Sequence, residues 1–189
     1  MTLIIIYVNI ILVMNDATVE LADGPPIRPV PVALARRFFQ ICTTAVAEAV
    51  AEAGLTPLEF AVMAYVNPAD GEPNIDQVGL AARLGVDRNT TSLLVRSLEA
   101  RGLLEQRVSE KDRRARLIRL TRSGERLYTG LHPTALASQQ EVLAGLKPAE
   151  RNLLLDLLLR VIDENQHLAR PGAGRRSGKG RQTSTRQIA

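Results

Sequence analysis

The chain has 189 residues, 46% of them apolar and 23% charged, the balance of a soluble globular protein with room for one domain and its extensions. Aromatic residues make up only 3%, so a core has to come from Leu, Val, Ile and Ala, which favours packed helices over a β-sandwich. The net charge of +4 is unevenly placed: residues 170–189 hold six arginines and lysines and no acids, so the rest of the chain is net negative and the basic pI reports a tail.

Residues 3–14 form an apolar run interrupted only by Asn9. It is too short to span a bilayer, and it lacks the basic start and cleavage pattern of a signal peptide. Two readings stand. The run packs on the body or on a membrane surface, or Met14 is the true start and residues 1–13 come from upstream sequence. The ordinary polar arm that follows favours the second, and no stable membrane insertion is expected. Residues 1–31 therefore read as an N-terminal extension, kept extended by Pro25, Pro26 and Pro29.

A helix is predicted from about Val32 to Ala53, with Phe38, Ile41, Cys42, Ala45, Val46 and Ala49 along one stripe and Gly54 as its stop. Cys42 is the only cysteine, so no internal disulfide can form, which suits a reducing cytoplasm. Thr56-Pro57-Leu58-Glu59 is a capping box with proline at the first helical position; its helix runs to about Val66, with Phe60, Met63 and Ala64 inward. Residues 67–74 form a turn-rich loop. Asp76 then caps a helix through Leu84 that carries Val78, Leu80, Ala81 and Leu84, and Gly85 stops it. Asp87 caps a further helix from Arg88 to about Arg101, ended by Gly102. Two short helices joined by a tight turn at Gly85-Val86 make a helix-turn-helix.

Stepping about 100° per residue puts Thr91, Leu94, Val95, Leu98 and Gly102 on one packing side of that last helix. Asn89, Ser92, Leu93, Arg96 and Ala100 fall on the other side, with Arg88 and Thr90 near its start. A major groove asks for hydrogen-bonding groups and small apolar contacts to thymine methyls, and this face supplies both. A solvated surface explains it equally well when the helix is taken alone. The strands that follow change the balance. Leu103 to Val108 and the stretch around Leu117, Ile118 and Leu120 read as a hairpin whose tip, Ser109 to Arg114, is strongly charged. A basic hairpin behind a helix-turn-helix is a winged helix, a module that usually sits on DNA. Arg114 is the best candidate for a narrow minor groove, Arg113 for a phosphate, and Asp112 for holding the turn or an arginine in place.

Thr121 caps the next helix, expected to reach Leu143 with a kink or break at Pro133. Pro148 opens a last helix to about His167. Its stretch from Leu153 to Ile162 is apolar nearly all round, which demands burial by more than one neighbour; in so small a chain a second subunit is the expected cover. Residues 32–167 thus form one domain, and 168–189 a basic tail without apolar periodicity. The fold class is mainly α with a small β-hairpin wing, its first and last helices forming a dimerisation region.

Leu55-Thr56-Pro57, Leu84-Gly85-Val86-Asp87-Arg88, Leu98 to Leu103, and above all Asp112-x-Arg114 followed by Leu120-Thr121, together resemble the MarR family of bacterial regulators. The resemblance spans roughly residues 32–167. It implies a homodimer whose two recognition helices enter successive major grooves of a pseudo-palindromic operator, and a repressor released by a small ligand, often aromatic. It also implies an effector site between the dimer helices and the DNA-binding lobe. Arg36 or Arg37 are candidates there for a carboxylate, with Tyr65, Tyr128 and His132 as polar lining; taken singly, each reads as an ordinary surface or core residue. The oxidant-sensing branch of the family carries a cysteine near the start of the first helix, whereas Cys42 lies far along it, as a structural thiol would.

No catalytic, metal-ligand or phosphate-cradling pattern is present, so neither an enzyme nor a cofactor or metal is expected. The expectation is a cytoplasmic, sequence-specific transcriptional regulator. The rivals are an architectural DNA-binding protein using the same fold and tail, and a membrane-associated interaction protein using residues 3–14.

Overall fold

The computed structural model describes residues 18–68, 75–108 and 116–169. Asp112, Arg113, Arg114, most of the 67–74 loop, the apolar run at 3–14 and the tail from residue 170 lie outside the described residues. The chain order is α1 (Pro31–Val50) with a 3-10 turn at Ala51–Ala53, α2 (Pro57–Val66), β1 (Ile75–Asp76), α3 (Gln77–Leu84), α4 (Arg88–Ala100), β2 (Leu104–Val108), β3 (Arg116–Leu120), α5 (Arg122–Val142) and α6 (Pro148–Glu164), then a 3-10 turn at Gln166–Leu168.

Local chemistry sets most of these boundaries. Thr56 Oγ1 accepts from the Glu59 N–H while the Glu59 carboxylate accepts from the Thr56 N–H at 2.9 Å, so the capping box closes in both directions. Asp76 and Thr121 cap α3 and α5 through the N–H groups of Gly79 and Gly124. Gly85 ends α3 with φ of 67°, a left-handed conformation that a side chain would resist. At the start of α6, Lys147 offers no side-chain acceptor; Glu150 instead reaches back to the Lys147 N–H at 2.8 Å.

The three strands are antiparallel in the order β1-β3-β2, with Ile118 opposite both Ile75 and Gln106. The hairpin is as expected, but β1 is an addition. Its two residues alone carry no strand pattern; they are strand only because β3 offers a free edge. Leu104, Ile118 and Leu120 turn one face of the sheet onto the core, where they join Phe60, Val62, Met63, Leu80, Val95 and Leu98. Among the described residues no buried side-chain nitrogen or oxygen lacks a hydrogen-bond partner.

Two expectations are corrected. Val78 does not pack inward: it is 49% exposed, because α3 buries Leu80 and Ala81 and Val78 lies about 200° of helical rotation from Leu80. Of the kink or break expected at Pro133, the break is overturned: the helix is continuous from Arg122 to Val142. Proline removes one N–H and crowds the carbonyl a turn earlier, but α5 lies along α1 and is pinned by buried Tyr128 and Ala135 on either side of Pro133. Tyr128 stacks on Phe60 with ring centroids 5.3 Å apart, and its hydroxyl pairs with His132 Nδ1 at 2.8 Å.

Among the described residues nothing covers the apolar faces of α1 and α6. Val32, Phe39 and Ile41 on α1 are exposed, and α6 has no buried residue at all although Leu153, Leu155, Leu157, Leu159, Val161 and Ile162 line it. Among the described residues no single helix is long and apolar enough to cross a membrane.

Candidate nucleic-acid interface and the adjoining cleft

The start of α4 is set by Asp87, whose carboxylate accepts from the N–H groups of Asn89 and Thr90 at 2.9 and 3.0 Å and from the Thr90 hydroxyl. This occupies Thr90, so its hydroxyl proton is not directed outward. Thr91 is fully buried and donates to the Asp87 carbonyl. Together these residues fix the phase of α4 and turn Arg88, Asn89, Leu93 and Arg96 to solvent, with Ser92 half-buried between them. Leu93 is 65% exposed, a large apolar side chain held in water on an otherwise polar face. One Arg96 guanidinium nitrogen donates to Ser92 Oγ at 3.0 Å, which steers that side chain along the helix surface. The six residues Arg88, Asn89, Thr90, Ser92, Leu93 and Arg96 therefore lie on one end and one face of a single helix.

Three sets of contacts that sequence reasoning missed hold α4 in place. Ser97 Oγ donates to Glu59 Oε1 at 2.7 Å, joining α4 to the start of α2. Arg101 forks onto the carbonyls of Gly54 and Ala53, at 2.9 and 2.8 Å, where α1 ends. Gln106 on β2 donates to the Glu99 carboxylate at 3.0 and 3.1 Å and accepts from Gln77 on α3 at 3.4 Å, so wing root and recognition helix share one polar network. The partners in these contacts lie up to 48 positions apart, and no local pattern announces them.

Glu59 is 7% exposed. Burial pushes its carboxyl upward, but hydrogen bonds from the Thr56 N–H, Ser97 and Thr56 hydroxyls and the positive charge of Arg101 outweigh this and leave it below the usual carboxylate range. Cys42 goes the other way: burial raises its thiol above the ordinary value, against a weaker pull from a backbone hydrogen bond.

A cleft of about 720 Å³ opens between α1, α2 and the α3–α4 turn. Phe39, Val46, Phe60 and Leu84 give it apolar walls, and Thr43, Thr56, Tyr65, Arg83 and Gln139 contribute polar groups. Of the residues named from the sequence as effector lining, Tyr65 lies on this cleft. Tyr128 and His132 stand behind Phe60, through the Tyr128–Phe60 stack. Arg37 lines a shallow groove on α1 with Gln40, Ile41 and Glu48, and exposed Arg36 precedes it on the same helix; neither lines the cleft.

A sequence profile of the MarR family matches residues 53–115, from the end of α1 into the wing. The PcaV transcriptional regulator of Streptomyces coelicolor, solved in complex with its natural ligand, is 34% identical; the match covers 79% of this chain and 99% of that one, with a TM-score of 0.60. BpsR of Bordetella bronchiseptica, whose DNA binding is regulated by 6-hydroxynicotinic acid, is 28% identical over 69% of this chain and 91% of its own, with a TM-score of 0.62. A Thauera aromatica protein described as a transcriptional regulator for the hcr operon is 29% identical over 108 residues, and the match spans 63% of its length.

Proposed function

Because the chain belongs to the MarR family of DNA-binding transcriptional regulators, we propose that it is a homodimeric repressor that reads a pseudo-palindromic operator and is released by an aromatic acid. The observation that carries the reading is the outward face of α4, where Asn89, Arg96 and exposed Leu93 lie on a helix anchored from behind by Ser97 and Arg101. Asn89 suits adenine, Arg96 suits guanine or a phosphate, and Leu93 suits a thymine methyl. Arg88 and Ser92 add backbone-side contacts at the helix start, and Thr90, held by Asp87, sets the position of that first turn. Arg114 enters the minor groove beside the half-site, Arg113 meets a phosphate, and Asp112 braces the tip.

The uncovered apolar faces of α1 and α6 support pairing of two copies, which sets the recognition helices about 34 Å apart along the duplex. The cleft supports the effector: it is mainly apolar, carries a few polar groups, and touches the α3–α4 turn directly. Non-enzymatic action and a cytoplasmic location follow from the same reading.

Footprinting on the DNA upstream of the chain's own coding sequence tests it. The expected result is protection of one inverted repeat, relieved by an aromatic acid. Sequence-independent coating of the probe would replace the regulator with an architectural protein.

A further inference from the structure

We propose that Arg101 is a positioning residue that locks the roll of α4 to the end of α1, so that a wrong spacing between half-sites is felt as strain in the protein; the proposal rests on the homodimer reading above. Stepping about 100° per residue from Arg88 puts the reading residues Asn89, Leu93 and Arg96 within about 80–140°. Thr91, Val95 and Leu98, all fully buried, cover the opposite side and fix how deep α4 sits. The directional contacts lie on the two flanks. Ser97 and Arg101, at about 180° and 220°, hold one flank, and Glu99, at about 20°, holds the other. Ser97 donates to Glu59 on α2 at 2.7 Å, Arg101 to the Gly54 and Ala53 carbonyls at 2.9 and 2.8 Å, and Glu99 accepts from Gln106 on β2 at 3.0 and 3.1 Å. Turning α4 about its axis stretches one flank or the other, and hydrogen bonds weaken steeply when bent or stretched.

Of these three grips, that of Arg101 is the one that reaches the end of α1. It closes on the 3-10 turn at Ala51–Ala53 and its Gly54 cap, where free carbonyl ends gather negative charge that a guanidinium fork meets with two charge-assisted bonds. α1 lies along α5 and turns Val32, Phe39 and Ile41 outward, the face that a second copy covers in the homodimer. Pairing therefore fixes each α1, and through Arg101 each α4 inherits a set roll relative to the two-fold axis. Half-sites moved from their proper spacing ask each α4 to roll away from that setting. The lock resists until it gives way, so the discrimination it supplies is limited to its own worth, about ten- to hundredfold for a charged hydrogen bond.

The test is fluorescence anisotropy of the full chain on three duplexes: the inverted repeat protected in the footprint, the same repeat with a base pair inserted between its half-sites, and a single half-site. The wild type is expected to prefer the natural spacing. Arg101→Met keeps the side chain's bulk and should bind the single half-site as the wild type does, while its preference for the natural spacing narrows by about tenfold or more. Arg101→Lys keeps the charge without the planar fork and should fall between the two. Should Arg101→Met fail to fold, Arg101→Lys decides by whether its preference narrows. A spacing preference that stays at the wild-type value, or an equal loss on all three duplexes, overturns the lock and leaves the homodimer standing. A wild type indifferent to spacing overturns both.

Discussion

Gly124 and Gly130 share α5 but meet different surroundings. A Cβ on Gly124 would run into the Leu103 carbonyl oxygen and press on Leu120, whereas at Gly130 it would meet nothing. Gly124→Ala should therefore cost about 1–3 kcal/mol, as overpacking against backbone does, and Gly130→Ala should gain up to about 1 kcal/mol of helix propensity. Urea denaturation with unchanged slope reads both. Glu59 adds a pH signature. Its carboxyl is held below the ordinary range in the folded protein, so it contributes stability fully above the unfolded value of about 4.3. That contribution disappears as pH falls through the lower folded value. Glu59→Gln should accordingly be less stable than wild type at pH 7, and the gap should close towards pH 3. A gap that is constant with pH would mean that Glu59 acts only by packing.

The elements most legible in the sequence are those whose ends are decided within four residues. Thr56, Asp76, Asp87 and Thr121 announce their helices because a cap needs only the next turn. The side of α4 that packs was readable for the same reason, since Thr91, Val95 and Leu98 repeat at helical spacing and all are buried. What was not readable depends on partners far along the chain. Ile75 and Asp76 become strand only opposite Ile118 and Leu117, and Pro133 is tolerated because α1 supports its helix. The grip of Ser97 on Glu59 and of Arg101 on Gly54 likewise exists only after folding. Of the candidates for the effector lining, Tyr65 borders the cleft, whereas Arg36 and Arg37 on α1 do not line it. At this scale α6 gives the sharpest expectation. Leu159 is 64% exposed in one chain, so Leu159→Glu should leave the helix-turn-helix folded by circular dichroism. It should halve the sedimenting mass and weaken binding to a two-half-site operator much more than to a single half-site. An unchanged mass would place the dimer contact elsewhere.

For the whole molecule, charge is divided between a body that is net negative and a tail with six cations, so two kinds of DNA contact should be separable by salt. Each phosphate neutralised contributes a slope of roughly −0.9 to log K against log salt on duplex DNA. Arg114→Ala should flatten the slope by about 1 for each protomer of the dimer and lower affinity most on A·T-rich flanks, because a narrow minor groove concentrates negative potential. Equal loss on G·C-rich flanks would reduce Arg114 to a phosphate contact. Deleting residues 170–189 should flatten the slope by up to about 5 for each protomer of the dimer, weakening operator and random DNA alike, since counterion release carries no sequence information. The ratio of specific to non-specific affinity should then stay where α4 and the wing set it. A slope that does not change on deletion would remove the tail from the interface and leave all of the salt dependence to the folded body. That body is net negative, so its cations would have to be gathered on the α4 and wing face alone.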